Sequence, residues 1–134
     1  MSAYKEFSQV QFANAQLLVS ALAELGYEAQ VGEAIPLRAW GSQQRTAQIV
    51  VPREQIKGAG YDLGFVWNGK AFVPVIEDYM ARTCLNEEWR QKLQATYAKL
   101  AILTFLARKG ATIGQVQTLQ DGSLALSATM EVQR

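Results

Sequence analysis

The chain has 134 residues, 49% of them hydrophobic, and its 13 basic and 12 acidic side chains leave a formal net charge of +1. This length and composition predict a single domain over 1–134 with a core of its own. The near-neutral charge excludes a global field that recruits nucleic acid or anionic lipid, so we expect no specific nucleic-acid binding. No apolar run approaches the ~18 residues of a membrane span, so we expect no membrane association.

The cysteine and histidine content limits the chemical functions that the chain can have. Cys84 is the only cysteine, which excludes an internal disulfide framework and predicts a half-buried, inert thiol in a reducing compartment such as the cytoplasm. The chain has no histidine, so it lacks the commonest general base and the commonest zinc ligand. We therefore predict no metal and no cofactor, and the sequence favours a protein that is not an enzyme.

The N-terminal half of the chain predicts one helix among short strands. Tyr4 to Phe12 is interpreted as a short strand, although 7–25 also fits one helix. Asn14 is then the N-cap of a helix over Ala15–Leu25 that ends at Gly26. Further along, the pattern predicts a strand over 27–31, a turn at Gly32–Pro36, a short strand over Leu37–Trp40, a polar loop over Gly41–Arg45, a strand over Thr46–Val51, and a turn or single helical coil at 53–58.

Residues 60–76 predict a β-hairpin with Asn68-Gly69 as a two-residue type I′ turn. That turn places Trp67 opposite Lys70 as a cation–π pair, and it puts the aromatic side chains together on the core face. Pro74 would then occupy a hydrogen-bonded position opposite Leu63, which requires either a bulge or a sheet edge.

The longest predicted helix covers 87–109, with Asn86 as its N-cap. Its core-facing stripe is Trp89, Leu93, Tyr97 and Leu100, but 100–107 is apolar almost all round. Three of its side chains point away from the sheet and need a second cover: Ile102, Phe105 and Leu106. Either the helix over 15–25 covers them, or they form an interface with a partner or in a homo-oligomer.

The C-terminal segment predicts a second hairpin that turns at Asp121-Gly122, with a bulge at Gly114 that shifts one strand by a residue. Together these elements predict an α+β fold: a mostly antiparallel sheet of five to seven strands, with two helices packed on one face.

Four short motifs carry a family resemblance: Gly60-Tyr61-Asp62, Gly64-Phe65, Asn68-Gly69 and Asp121-Gly122-Ser123. With them the whole chain resembles a cyanobacterial and plastid conserved hypothetical family, the hypothetical chloroplast reading frame thirty-five family, also called domain of unknown function twelve fifty-seven. The resemblance implies a phototroph or phage origin, a location in the cytoplasm or plastid stroma, and an accessory or adaptor role beside ATPases of the AAA class. It transfers no catalytic residue.

Two site hypotheses remain beside this accessory role. A mainly basic and aromatic set could bind single-stranded nucleic acid or a small ligand through the 38–57 segment, unless its charges are ordinary loop charges. The predicted binding residues are Arg38, Trp40, Arg45, Arg53, Tyr61 and Asp62. A histidine-free enzyme would need carboxylates such as Asp62 or the Glu77-Asp78 and Glu87-Glu88 pairs. Adjacent residues do not converge on one point, so these pairs are interpreted as solvated faces and helix N-terminal charge.

Overall fold

A computed structural model describes the backbone of 4–38, 45–118 and 124–130, and the side chains of 4–38 and 45–110. In chain order the elements are β1 (Tyr4–Glu6), α1 (Ala15–Glu24), β2 (Gln30–Leu37), β3 (Arg45–Val51), a 3₁₀ turn (Arg53–Gln55), β4 (Leu63–Trp67), β5 (Phe72–Glu77), α2 (Asp78–Arg82), α3 (Glu87–Arg108), β6 (Ala111–Thr118) and β7 (Leu124–Met130). The predicted α+β class is confirmed.

Five strands form one antiparallel sheet in the order β1-β5-β4-β3-β2. The strands β6 and β7 pair only with each other and form a separate two-stranded sheet among the described residues. The main sheet thus has five strands, the lowest number in the predicted range of five to seven. The Asp121-Gly122 turn and Trp40 lie outside the described residues.

Both main helices begin where their caps predict. The Asn14 side chain accepts a hydrogen bond from the backbone N–H of Leu17 at 3.0 Å, and Asn86 accepts one from Trp89 at 3.0 Å. These bonds satisfy N–H groups that a helix start leaves without partners. Gly26, at φ +97°, follows the end of α1, where a side chain would be strained.

The two helices cover the same face of the sheet. Buried side chains of α1, α3 and the α2–α3 connection pack on the inward-facing sheet residues: Leu18, Ala21, Leu22, Leu85 and Leu93 on Ile49, Val51, Leu63, Phe65 and Ile76. Phe12 lies between the layers, with its ring 5.9 Å from the Phe65 ring and 5.0 Å from the Tyr97 ring. The predicted arrangement of two helices on one face, against the aromatic face of the hairpin, is confirmed.

The register predicted for the first hairpin is wrong by two residues. Trp67 pairs with Phe72, and Asn68 to Ala71 form a four-residue loop. Only Gly69 has positive φ (+99°), so the turn is not type I′, which needs two such residues. Instead the Asn68 side chain accepts hydrogen bonds from the N–H groups of Lys70 and Ala71, both at 2.9 Å. Trp67 therefore packs on the Phe72 ring at 4.9 Å, and the Trp67–Lys70 pair does not form.

A shift of two residues keeps every side chain on its predicted face but changes the environment of Pro74. Phe72 exchanges backbone hydrogen bonds with Phe12 at 2.7 and 3.0 Å, so the N–H of Phe72 points away from β4. Because backbone groups two residues apart in a strand point to the same side, the nitrogen of Pro74 also points away from β4. Pro74 pairs with Phe65 there, and its carbonyl accepts from Phe7 at 2.9 Å, just beyond the end of β1. The missing N–H breaks no bond to β4, and neither predicted remedy, a bulge or a sheet edge, is needed.

The predicted turn at Gly32–Pro36 is also wrong, because this segment lies inside β2. The turn residues are accommodated as a bulge, where the pairing with β3 shifts between Val31 and Ile35. The side-chain amide of Gln48 in β3 bonds to the backbone of both neighbouring strands. It donates to the Glu33 carbonyl of β2 at 2.9 Å and accepts from the Trp67 N–H of β4 at 2.8 Å. One side chain thus replaces main-chain bonds that the irregular strands cannot make.

The sequence does not predict α2, whose N-cap is Glu77, a residue type that seldom caps helices. The Glu77 carboxylate accepts hydrogen bonds from the N–H groups of Tyr79 at 2.9 Å and Met80 at 3.0 Å. Glu77 is 1% exposed, so its interpretation as part of a solvated face is wrong.

The second hairpin contains the predicted bulge. The pairing of β6 with β7 shifts between Ile113 and Gln115, on either side of Gly114. Thr118 pairs with Leu124, one residue away from the register of a two-residue turn. Within the part of the chain that is described, no helix combines the length and the apolar character that crossing a membrane requires.

Candidate functional site

Two of the predicted binding residues meet directly at the end of β2. The Asp62 side chain is buried, at 2% exposure, and accepts four hydrogen bonds. One oxygen, Oδ2, accepts from the backbone N–H of Arg38 at 2.8 Å and from its Nε at 3.0 Å. The other, Oδ1, accepts from Nη2 of Arg38 at 2.9 Å and from the backbone N–H of Arg53 at 2.8 Å. Asp62 therefore joins the end of β2 to the 3₁₀ turn.

Glu54 completes this cluster from the solvent side. Its two carboxylate oxygens accept from Nη1 and Nη2 of Arg38 in a bidentate pair. The Arg38 guanidinium, through hydrogen bonds and charge, lowers the pKa of Glu54 to about 2. The same pairing with Glu54 and Asp62 raises the pKa of Arg38. We call Arg38, Glu54 and Asp62 the clamp.

Tyr4 contacts the clamp from the buried side. Its hydroxyl donates to the carbonyl oxygen of Asp62 at 2.9 Å and lies 3.3 Å from that of Arg38. Burial, and then the negative charges of Asp62 and Glu77, raise the pKa of the Tyr4 hydroxyl. Tyr61 packs edge-on against Tyr4, with 6.1 Å between the ring centroids. The phenol is therefore held in its neutral form as a hydrogen-bond donor.

The other two described arginines of the predicted binding set differ in their surroundings. The backbone of Arg53 contacts the clamp, whereas Arg45 pairs with β1. Arg45 forms an ion pair with Glu6 of β1 at 2.9 Å. The Arg53 side chain donates to the Gly60 carbonyl at 3.3 Å. Two of the three described arginines of the set are therefore in ion pairs, which reduces the positive potential that binding to phosphates needs. Trp40 lies outside the described residues.

The clamp has a structural function and offers little for catalysis. A shallow cavity of about 440 Å³ lies beside it, lined by Arg38, Glu54 and Asp62 and by neighbours from β2 and the 3₁₀ turn. However, the Asp62 carboxylate is fully engaged with N–H donors, so it is not available to take a proton from a substrate. Among the described residues, no three side chains of the metal-binding types are grouped where they could hold an ion.

The other predicted carboxylate pairs are also engaged or separated. Glu77 caps α2, while Asp78 forms an ion pair with Lys5 at 2.9 Å. Glu87 and Glu88 lie exposed in the first turn of α3, as predicted. No two of these four carboxylates share a site at which one would act as acid and the other as base.

A second depression lies between residues 6–10 and the first two turns of α3. Arg90 lies over the Phe7 ring at 4.3 Å, and its Nη1 donates to the carbonyls of Ala81 at 3.1 Å and Leu85 at 2.7 Å. Burial lowers the pKa of Arg90. These contacts tie α3 to the segment before it, so Arg90 is a structural residue.

The third depression is a groove between α1 and α3, about 400 Å³ in volume. We call it the α1–α3 groove. Residues Asn14, Gln16, Leu17 and Ser20 line it on the α1 side, and Ala101, Thr104, Phe105 and Arg108 line it on the α3 side. The helix α3 packs on the core no further along than Leu100. The groove begins where that packing ends.

The predicted interface residues lie in this part of α3. Phe105 is 59% exposed, although it borders α1, whereas Ile102 and Leu106 are half-buried. The helix α1 therefore leaves Phe105 largely uncovered. Sequence reasoning pointed to Phe105 through the apolar run but missed its neighbour Leu17, because the pairing of the two helices is not encoded in either one alone.

Comparison with known proteins identifies the family but no activity. Residues 21–127 match the family model described as "Protein of unknown function (DUF1257)". The match covers most of the chain, including the clamp, the first hairpin, α3, β6 and part of β7, and the chain belongs to this family. No curated protein and no solved structure matches it.

Proposed function

We propose that this protein is an accessory or interaction module without catalytic activity, and that it docks a partner protein in the α1–α3 groove. The observation that carries the proposal is the 59% exposure of Phe105 at the apolar end of α3. A large, exposed aromatic side chain beside a groove is typical of interface anchors.

The sheet edges are poorer docking surfaces than the helices. The outer edge strand β2 carries a bulge between Val31 and Ile35, and Pro36 and Glu33 lie within it. All three features hinder the addition of another strand. The opposite edge strand, β1, has only three residues. The helix surface is therefore the better candidate for a partner.

The competing functions have weaker support. A binder of nucleic acid or a small ligand through 38–57 would use Arg38 and Arg45, which are already in ion pairs. A histidine-free enzyme would need a carboxylate with lone pairs open to substrate, and Asp62 has none. The resemblance to plastid and cyanobacterial proteins adds an AAA-class ATPase as the partner class to test first. The lone Cys84 suits the cytoplasm or plastid stroma.

Capture from native cells tests the proposal. The bait is the tagged chain as wild type, as Phe105→Glu and as Tyr79→Glu, since Tyr79 is an exposed aromatic residue of α2 at 60% exposure. We expect wild type and Tyr79→Glu to retain the same protein and Phe105→Glu to lose it. A partner that binds Phe105→Glu as well as wild type would place the docking surface elsewhere.

A further inference from the structure

We infer that the segment bound in the α1–α3 groove is apolar and acidic. The inference rests on the proposed function and specifies the chemistry of the partner. It combines two features of the groove: an uncovered apolar anchor and charge of a single sign.

The apolar component comes from both helices. The Phe105 side chain of α3 is largely exposed to solvent, and half-buried Leu17 of α1 lines the same groove. A partner that covers both side chains removes apolar surface from water, at about 25 cal/mol for each Å². Apart from Arg108, the other lining residues are uncharged, namely Asn14, Gln16, Ser20, Ala101 and Thr104. Except for Ala101, their side chains offer hydrogen bonds but no charge.

The charges at the groove are positive. Arg108 lines it, and Lys109 lies over the Phe105 ring with its Nζ 5.7 Å from the centroid. Neither cation belongs to an ion pair among the described residues. No carboxylate lines the groove. Although the dipole of α3 offsets part of this charge at its C-terminus, the start of α1, with no acidic residue in its first turn, adds positive potential.

A second copy of this chain fits the groove less well. A twofold contact centred on Phe105 would bring Arg108 and Lys109 of both copies together, and like charges at an interface oppose association. A carboxylate that follows an apolar side chain instead pairs with these cations while its neighbour covers Phe105. Charge complementarity therefore favours an acidic segment of a different protein.

Two synthetic peptides of equal length test the inference. They share the same leucine and phenylalanine residues, and one carries glutamates where the other carries lysines. Binding to the full chain is followed by two-dimensional NMR, with the groove residues as reporters. We expect the acidic peptide to bind at least about tenfold more tightly, a difference of about 1.4 kcal/mol. We expect its shifts to concentrate on 14–20 and 101–109.

Charge variants provide the matched comparison. Arg108→Gln/Lys109→Gln should remove the preference for the acidic peptide. Lys57→Gln/Lys70→Gln lowers the net charge equally at exposed positions away from the groove and should retain the preference. If the preference persists in the first double variant, Arg108 and Lys109 do not cause it and the inference fails. If both double variants lose the preference equally, it arises from net charge alone and the inference also fails.

The remaining outcomes separate the inference from the proposed function. Equal binding of both peptides, or binding of neither, overturns the acidic specificity, while loss of cellular capture by Phe105→Glu would still support the groove as a docking surface. The chain is also measured without peptide at increasing concentration. If the NMR signals of the groove residues broaden as the concentration rises, a second copy of the chain occupies the groove and the inference is overturned. Capture that is indifferent to Phe105→Glu overturns the proposed function itself.

Discussion

Arg38 holds Asp62 through both its backbone and its side chain, supplying three of the four hydrogen bonds that the buried carboxylate accepts. The fourth comes from the backbone of Arg53. Asp62 thus replaces main-chain pairing at the point where β2 ends and the 3₁₀ turn begins. This relationship makes the clamp a stabilising element of the fold rather than a reactive site.

Asp62→Asn should destabilise the protein by about 2–4 kcal/mol, because the neutral amide loses the charge-assisted bonds and turns an NH₂ group toward N–H donors. The measurement is the free energy of unfolding from urea titration. Asp78→Asn is the control. It removes the Lys5–Asp78 ion pair, whose side chains are both exposed to solvent, and should cost less than about 1 kcal/mol. Similar losses in the two variants would contradict the clamp.

Because of the clamp, the stability of the protein should also depend on pH in the acid range. The pKa of Glu54 lies at about 2 in the folded chain, below the ordinary 4.5, because Arg38 favours the ionised form. A depressed folded-state pKa stabilises the protein fully above about pH 4.5, and this contribution is lost as the pH falls toward 2. Glu54→Gln should therefore be less stable than wild type at neutral pH. The difference between their urea midpoints should shrink across this window, and a constant difference would exclude the ion pair as its cause.

Gly69→Val should cost about 1–3 kcal/mol, because a β-branched residue is strained at a φ of +99°. No other atom lies within 4 Å of the position that a Cβ would occupy, so the cost is conformational and not steric. Gly69→Asn, which tolerates positive φ better, should lose less. Thermal melting of the two variants gives the comparison. Equal melting temperatures for Gly69→Val and wild type would mean that the loop rearranges freely.

Phe105→Glu should fold normally, with a free energy of unfolding within about 0.5 kcal/mol of wild type, because the side chain is 59% exposed. Light scattering over a concentration series should give a monomer mass for both proteins. If the wild type gains mass with concentration and Phe105→Glu does not, Phe105 mediates self-association. If the variant unfolds instead, Phe105 belongs to the core.

The sequence by itself determined the elements whose signals are local. Asn14 and Asn86 mark the starts of α1 and α3, because a side chain that accepts an N–H three residues ahead needs only its own helix. The period of apolar residues identified the core faces of α3 and of the first hairpin. It also indicated that the end of α3 needs a second cover, since 100–107 is too apolar for a one-sided helix, but it left open whether α1 supplies that cover.

Only the tertiary structure decided the register of the first hairpin and the members of the clamp. Asn68-Gly69 is compatible with both a two-residue and a four-residue loop, and the longer loop also places Pro74 where it breaks no bond to β4. Tyr4 and Asp62 are 58 residues apart in the chain, yet one hydrogen bond joins them. Such a contact depends on the strand order β1-β5-β4-β3-β2, which no periodicity within a segment records. Local propensity therefore determined the elements, while long-range pairing determined which side chains meet.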